Sequence, residues 1–530
     1  MSKAHKALAS RALLKQQGKR LHRFDSDFQR GGGVGEHGTA ASRTLVRRAL
    51  EGPPLPAAMQ RFDSADYFSC RESAAESDEN WVWWVVVGLV VRHGVSLHGY
   101  SGEATPPRFG DYEAHRHWME VTINKEIKEW YTYDTEYWGL DYPPVMAYVE
   151  YALGLASRVF DPASVELDAS RGYETLAHRR FMRFTVLLAD TLFVGALGSP
   201  AALLSPAPIL VDHGHFQYNC LPLGLSLWAA KLFSTDRPLA AAACFCLALN
   251  SKQTALYYAP AVFFEVLARA RSAKAVAKVA VVALLSFAAI WAPLGDGVLA
   301  ALRRCFPVER GVFEDKVANL WYAAQVVFRA RDDLDATLIL KLATIATGLA
   351  AFPVPVLRAI KRRNDFHGFL LSLHLSALAF FLFSYHVHEK AILVPLAPLL
   401  LLDDASVYAW YRDLFSLAAA VSISPLLFYE NLALPYAATI AFFSLVISPR
   451  NKIVRSLLVA LAPLHALPLL FPPPARYPDL YPALTSLFFA LLFSFAFAIL
   501  FFHELHHLFY FATPRRDTSR HLLNSKKKLL

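Results

Sequence analysis

PAALLSPAPILVDHGHFQYN, residues 200–219, decides how the rest of the chain is threaded. Its apolar half, 200–211, holds Pro206 and Pro208 and is only about twelve residues long, whereas a helix needs about 20 apolar residues to cross a bilayer and runs of 10–14 are more often re-entrant or buried. We read 200–211 as a non-crossing segment that returns the chain to the side it came from and delivers Asp212 through Asn219 there. If it crossed, every later basic cluster up to the C-terminus would change sides.

Outward from that stretch, apolar runs recur after Trp81. The 530 residues are 55% apolar and 18% charged, against roughly 45–50% and 25% in soluble domains. This predicts an all-α polytopic membrane protein with about fourteen transmembrane helices. The spans are 81–97, 142–160, 181–197, 216–233, 238–250, 254–270, 276–294, 337–357 and 366–384. Others lie near 390–402, 412–428, 432–448, 454–471 and 483–511. Residues 1–80 read as a cytosolic, mostly disordered tail, 81–511 as the membrane domain and 512–530 as a basic cytosolic tail. Loop 161–180 falls in the cytosol, as do Arg269, Arg271, Lys274, Arg358, Arg362 and Arg363, in keeping with the positive-inside rule. The net charge of +9 reflects that bias. The basic residues lie in loops without aromatic interleaving, which excludes nucleic acid as a partner. The five cysteines form no CxxC pair, and no His/Cys spacing resembles a zinc site. Lysines 527 and 528 resemble a dilysine retrieval signal, with a plain basic tail as the other reading.

On this threading four polar clusters share the luminal side. They are GDYEAHRHWME with LDYPP (110–120, 140–144), DHGHFQYN (212–219), NSKQ (250–253) and SYHVHEK (384–390). Loop 295–320 joins them, and its Arg303, Arg304, Arg310 and Lys316 break the positive-inside rule, which makes them candidates for binding an anion. Each feature also has a structural reading. Asp111 could cap a helix starting at Tyr112, and Asp141 could cap the span 142–160, with Pro143 and Pro144 in its first turn. His213 and His215 could be interfacial, Lys252 could snorkel, and Glu389–Lys390 could be an exposed pair. Taken together, carboxylates, aromatics and cations (Arg310, Lys316, Lys252, His388, Lys390), with His215 and Gln217 beside them, suit glycosyl transfer from a lipid monophosphate. Ordinary glycoside hydrolysis needs two carboxylates. A phosphate monoester, with a second pKa of about 6, leaves readily. One base for the acceptor hydroxyl and cations for the phosphate then suffice. A polyprenyl-phosphate transporter or scramblase is the alternative of a different class. It is disfavoured because only one broken helix and no internal repeat is visible.

YSG (100–102), GDYEAHRHWME, EWY (129–131), YWGLDYPP (137–144), DHGHFQYN, KQTALYYAP (252–260), FEDKVANLW (313–321) and VHEKAIL (387–393) resemble the dolichyl-phosphate-glucose-dependent glucosyltransferases of the endoplasmic reticulum. The likeness runs from about Trp81 to the C-terminus and is strongest up to Leu393. The resemblance implies a GT-C fold with luminal active-site loops in the endoplasmic reticulum membrane. It implies dolichyl phosphate glucose as donor, a dolichyl-pyrophosphate-linked oligosaccharide as acceptor, inversion from a β donor to an α product, and no metal. The first-loop pattern is similar to members that add the first α-1,3 glucose, and the sister enzyme that adds the second is the alternative. The resemblance assigns the general base to Asp111, with Asp141 and Glu113 as fallback carboxylates, and sets His388 near the donor phosphate. The 80-residue N-terminal tail departs from the family.

Overall fold

A computed structural model of the chain describes residues 81–306, 316–328, 335–385, 387–447, 465, 467 and 470–510. Both expected tails, Arg310 and most of the span expected at 454–471 lie outside the described residues. The described part is built of helices and turns, and contains no strand.

Four of its helical runs are long and apolar enough to cross a membrane: Ala273–Cys305, Ala336–Ile360, Phe366–Phe383 and Leu480–Tyr510. Composition positions them. The first carries exposed Val281, Leu284, Leu285 and Phe287 and belongs on the outside, where lipid tails replace water. Phe366–Phe383 is apolar all round and largely buried, as a central helix must be. Its first turn is capped by Asp365, whose carboxylate accepts from the Gly368 N–H at 2.7 Å. Elsewhere the apolar runs break at proline. The run expected near 390–402 is a turn, Glu389–Ile392, followed by Leu393–Leu399. That helix is roughly 10 Å long, too short to cross alone.

The helices that build the site are α1 (Trp81–Ser96), α2 (Asp111–Asn124), α3 (Pro144–Phe160), α4 (Leu176–Val194) and α5 (Cys220–Ser234). Here the structure corrects the expected threading. Loop 161–180 packs on the 108–144 layer and not on the opposite face. Arg116 of α2 donates to the Ser164 carbonyl at 3.0 Å and to Ser170 Oγ at 2.5 Å. Asn124 Nδ2 donates to the Val165 carbonyl at 2.9 Å, Tyr133 bonds Asp168 at 2.8 Å, and Arg171 meets Asp134 at 2.6 Å. Helix α3 therefore does not cross. Its apolar stripe packs along α2 at Gly154, where a Cβ would stand 2.7 Å from the Met119 carbonyl. Buried Glu150, in mid-helix, pairs with His115 at 2.7 Å.

Helix α4 instead carries the chain away from this layer. Its start is pinned at the site, where Arg183 donates to the carbonyls of His213 (2.6 Å) and Gly99 (2.8 Å). Its far end meets the middle of α5, with Trp228 Nε1 donating to the Leu192 carbonyl at 2.9 Å. Residues 200–216 then bring the chain back as two short helical turns, Pro200–Leu203 and Pro206–Ile209, and a π turn, Leu210–Phe216. This segment carries the chain from the end of α4 back to the layer that holds Asp111. It is buried from Ala201 to Phe216, and protein groups bond its broken backbone, as any non-helical backbone at membrane depth requires. Arg92 of α1 bonds Asp190 of α4 and the Leu203 carbonyl, and His213 reaches Asp190 at 3.0 Å. DHGHFQYN thereby arrives beside Asp111.

Candidate active site

Helix α2 begins after Gly110, and Asp111 is its first residue. The Asp111 carboxylate does not cap. It turns into a cavity of about 520 Å³, within the usual range for small-ligand sites. Its Oδ2 accepts from Lys390 Nζ at 2.6 Å, from His215 Nε2 at 2.8 Å and from Gln217 Nε2. Among the described residues these side-chain bonds all fall on Oδ2. Burial raises the carboxyl's pKa, but the Lys390 ammonium and the His215 ring outweigh it and hold Asp111 well below the usual carboxylate range.

Three chain segments converge to make this arrangement. The π turn ends at Phe216 with φ 86°, a strained conformation of the kind held at functional sites. Phe216 is fully buried, with its ring 5.0 Å from that of Tyr112, and the turn behind it aims Gln217 at Asp111. Asp212 caps α5, accepting from the Asn219 N–H at 3.2 Å and the Cys220 N–H at 2.6 Å. This puts Asn219 where its Oδ1 takes Lys252 Nζ at 2.7 Å. Lys252 also lies over the Tyr142 ring, 4.8 Å from its centroid. Burial, with Lys390 nearby, pulls the Lys252 ammonium down to about 8. Lys390 comes from the turn that follows the central helix.

Most of the expected site residues meet here. Asp111, Asp141, Gln217, Lys252, His388 and Lys390 line the one cavity, and His215 stands behind Asp111. Asp141 does not cap α3, whose cap is Pro143 without a side-chain bond. Its carbonyl accepts from Gln253 Nε2 instead. Two expectations change. Glu113 is buried away from the cavity, held by Arg116 at 2.6 and 2.7 Å and by the Tyr137 hydroxyl at 3.0 Å. Lys316 is half-buried, pairs with Asp479 at 2.9 Å and does not line the cavity. Arg310 lies outside the described residues. Of the cationic loop, Arg304 donates to the Gly139 carbonyl at 2.9 Å and Phe306 lines the cavity. The described part of that loop thus packs on the 108–144 layer.

One residue was missed. Glu430 grips His215 Nδ1 with both oxygens at 2.7 Å. It belongs to no motif. The signal in the sequence is that it is the sole charged residue between positions 414 and 447, and an ionisable group alone in an apolar run marks a pathway or site.

The remaining walls are apolar and aromatic. Leu223, Leu256, Phe380, Leu393 and Val394 line one side, and Trp118, Trp138 and Tyr142 another. A polar corner of carboxylates and cations set among aromatic and aliphatic walls suits a polytopic membrane glycosyltransferase. The chain belongs to the ALG6, ALG8 glycosyltransferase family, whose profile matches residues 85–501. It is 36% identical over 470 residues to the dolichyl pyrophosphate Man9GlcNAc2 alpha-1,3-glucosyltransferase of Gallus gallus, across 76% of this chain and 92% of that one. It is 38% identical over 451 residues to the probable enzyme of the same name in Drosophila melanogaster, across 76% and 93%. For the Saccharomyces cerevisiae enzyme of that name the figures are 35% over 394 residues, 67% and 71%.

Proposed function

We propose that this cavity transfers glucose from dolichyl phosphate glucose to the terminal mannose of lipid-linked Man9GlcNAc2, making the first α-1,3 bond with inversion. The observation that carries this reading is Asp111, ionised, lining the cavity with its Oδ2 held by three donors. Oδ1 takes the acceptor's hydroxyl proton while that oxygen bonds the anomeric carbon. The anomeric C–O bond breaks, and its electron pair leaves on the dolichyl phosphate. Lys390, Lys252 and His388 receive that phosphate, and the apolar wall receives the first part of the lipid. No metal is required by this chemistry, because lysine and histidine supply the positive charge. The names of the relatives support the acceptor. We place the chain in the endoplasmic reticulum membrane as a GT-C fold of about fourteen spans, with this cavity luminal and both termini cytosolic.

The acceptor assay tests the reading. Purified protein receives dolichyl phosphate glucose and lipid-linked oligosaccharide carrying either no glucose or one. Only the glucose-free acceptor is expected to gain a sugar. Gain on the monoglucosylated acceptor alone would assign the chain to the second step. Lipid movement without sugar turnover would make it a transporter.

His388→Ala is expected to raise the KM for the donor lipid by ~10-fold or more, the cost of one charge-assisted contact, with the acceptor KM within twofold. Equal effects on both would remove His388 from the phosphate.

A further inference from the structure

We propose that Glu430 is a positioning residue for the transfer, holding His215 so that its Nε2–H fixes Asp111 Oδ2 and Oδ1 stays presented to the acceptor hydroxyl. This rests on Asp111 being the base.

The three side chains form one line. Glu430 Oε1 and Oε2 each stand 2.7 Å from His215 Nδ1, and His215 Nε2 stands 2.8 Å from Asp111 Oδ2. An imidazole between two carboxylates at these distances donates from both nitrogens, and it does so as the imidazolium. Which nitrogen of a histidine carries a proton is set by what the other one meets, so the outer carboxylate governs the inner bond. Charge agrees with this. Asp111 and Glu430 supply two negative charges, and Lys390 and His215 supply two positive ones. The cluster is neutral, as a buried group of ions must nearly be.

Glu430 is itself built in. It ends the helix Ser424–Tyr429, and its N–H donates to the Leu426 carbonyl at 3.2 Å. Asn431 follows in a left-handed conformation, φ 59°. The reversal closes with the Leu432 N–H donating to the Leu427 carbonyl at 2.8 Å. Leu432 is fully buried against Gly214, the residue before His215. The Glu430 side chain is 6% exposed. A carboxylate buried so deeply within an apolar stretch is costly and is kept where it has a partner with a task.

The charged groups facing His215 are Asp111 from α2, Lys390 at 3.0 Å from the turn Glu389–Ile392, and Glu430. Glu389 acts on Lys390, and Lys390 and Asp111 both act on Lys252 across the cavity. Arg183 holds the backbone carbonyls of His213 and Gly214 just before the ring. Of these, Glu430 is the one whose removal takes negative charge from His215 while leaving the cavity lining in place.

Glu430→Gln, Glu430→Ala and Asp111→Asn in the full-length purified enzyme test this, with kcat, both KM values and the pH dependence of kcat measured for each. Glu430→Gln keeps the shape and removes the charge. His215 is then expected to lose its second proton at lower pH, so the alkaline limb of the kcat profile moves down by about one pH unit or more. Glu430→Ala is expected to lower kcat by ~10–100-fold, as removing an orienting partner does, with both KM values within about threefold. A structural role alone would reduce folded protein or shift both KM values, and would leave the limb where it is. If Asp111→Asn is inactive while both Glu430 variants keep the wild-type rate and profile, Glu430 is overturned and the base stands. If Asp111→Asn keeps its rate, the base reading itself fails.

Discussion

Replacing Asp111 with asparagine is expected to lower kcat by about 10³-fold, in the middle of the 10²–10⁴ range for a general base, while the protein folds and takes up donor lipid. Asparagine matches the volume, and its carbonyl oxygen can still accept from Lys390 and Gln217, so the wall of the cavity keeps its form. What is lost is the oxygen able to take a proton. Thermal melting with and without dolichyl phosphate glucose measures the intact part, and single-turnover transfer measures the missing part. Because Lys390 and His215 depress the Asp111 pKa, the carboxylate stays charged above the ordinary range of about 4 and for some distance below it. Acidification to pH 5 should therefore not switch the base off. Asp141→Asn is expected to be the milder change. Asp141 reaches the same cavity, but Lys390, His215 and Gln217 gather on Asp111 and orient that carboxylate. If Asp141→Asn proves more damaging than Asp111→Asn, the base moves to Asp141.

Arg116→Met is expected to destabilise the layer around the site by about 3–5 kcal/mol, the usual result of removing one partner from a buried ion pair. Arg116 is fully buried between Glu113 at 2.6 Å and Glu120 at 2.8 Å. It also reaches Ser164 and Ser170 in the loop that follows α3. Glu120 continues the network, accepting from the Asp168 N–H at 2.7 Å and the Ser170 hydroxyl at 2.9 Å. Methionine leaves two carboxylates without their cation and unties 161–170 from α2, the helix that carries Asp111. Melting of the detergent-purified variant, with limited proteolysis of 161–175, reads both effects. Arg180→Met is the control: it is exposed and should stay within about 0.5 kcal/mol of wild type. An Arg116 variant as stable as this control would restore the opposite-face placement of 161–180.

Much of the site is legible in the amino-acid sequence. The motif stretches GDYEAHRHWME, DHGHFQYN, NSKQ and VHEK contribute Asp111, Gln217, Lys252, His388 and Lys390 to one cavity. Polar and charged residues flanking apolar runs are costly at membrane depth unless they gather, so their presence in the chain already implies a common pocket. Glu113 belongs to the same motif as Asp111 and looks equivalent to it. Only position on the helix separates them: the first residue of α2 faces His215 and Lys390, while the third faces Arg116. Glu430 is invisible as a motif because its meaning lies in a histidine more than two hundred residues away.

Threading shows the division most clearly. Composition and the length of apolar runs settle that the chain is helical and largely apolar, because hydrocarbon burial and backbone satisfaction admit few alternatives. They do not settle which runs cross. Residues 142–160 are apolar enough to suggest a span, yet Glu150 pairs with His115 and Gly154 admits the backbone of α2, so the run lies against another helix. Residues 200–216 look too short and too proline-rich to hold together as a buried segment, yet they do so because Arg92 of α1 and Arg183 of α4 bond their carbonyls. Apolar periodicity records that a face is buried, and the tertiary partners decide whether protein or lipid buries it.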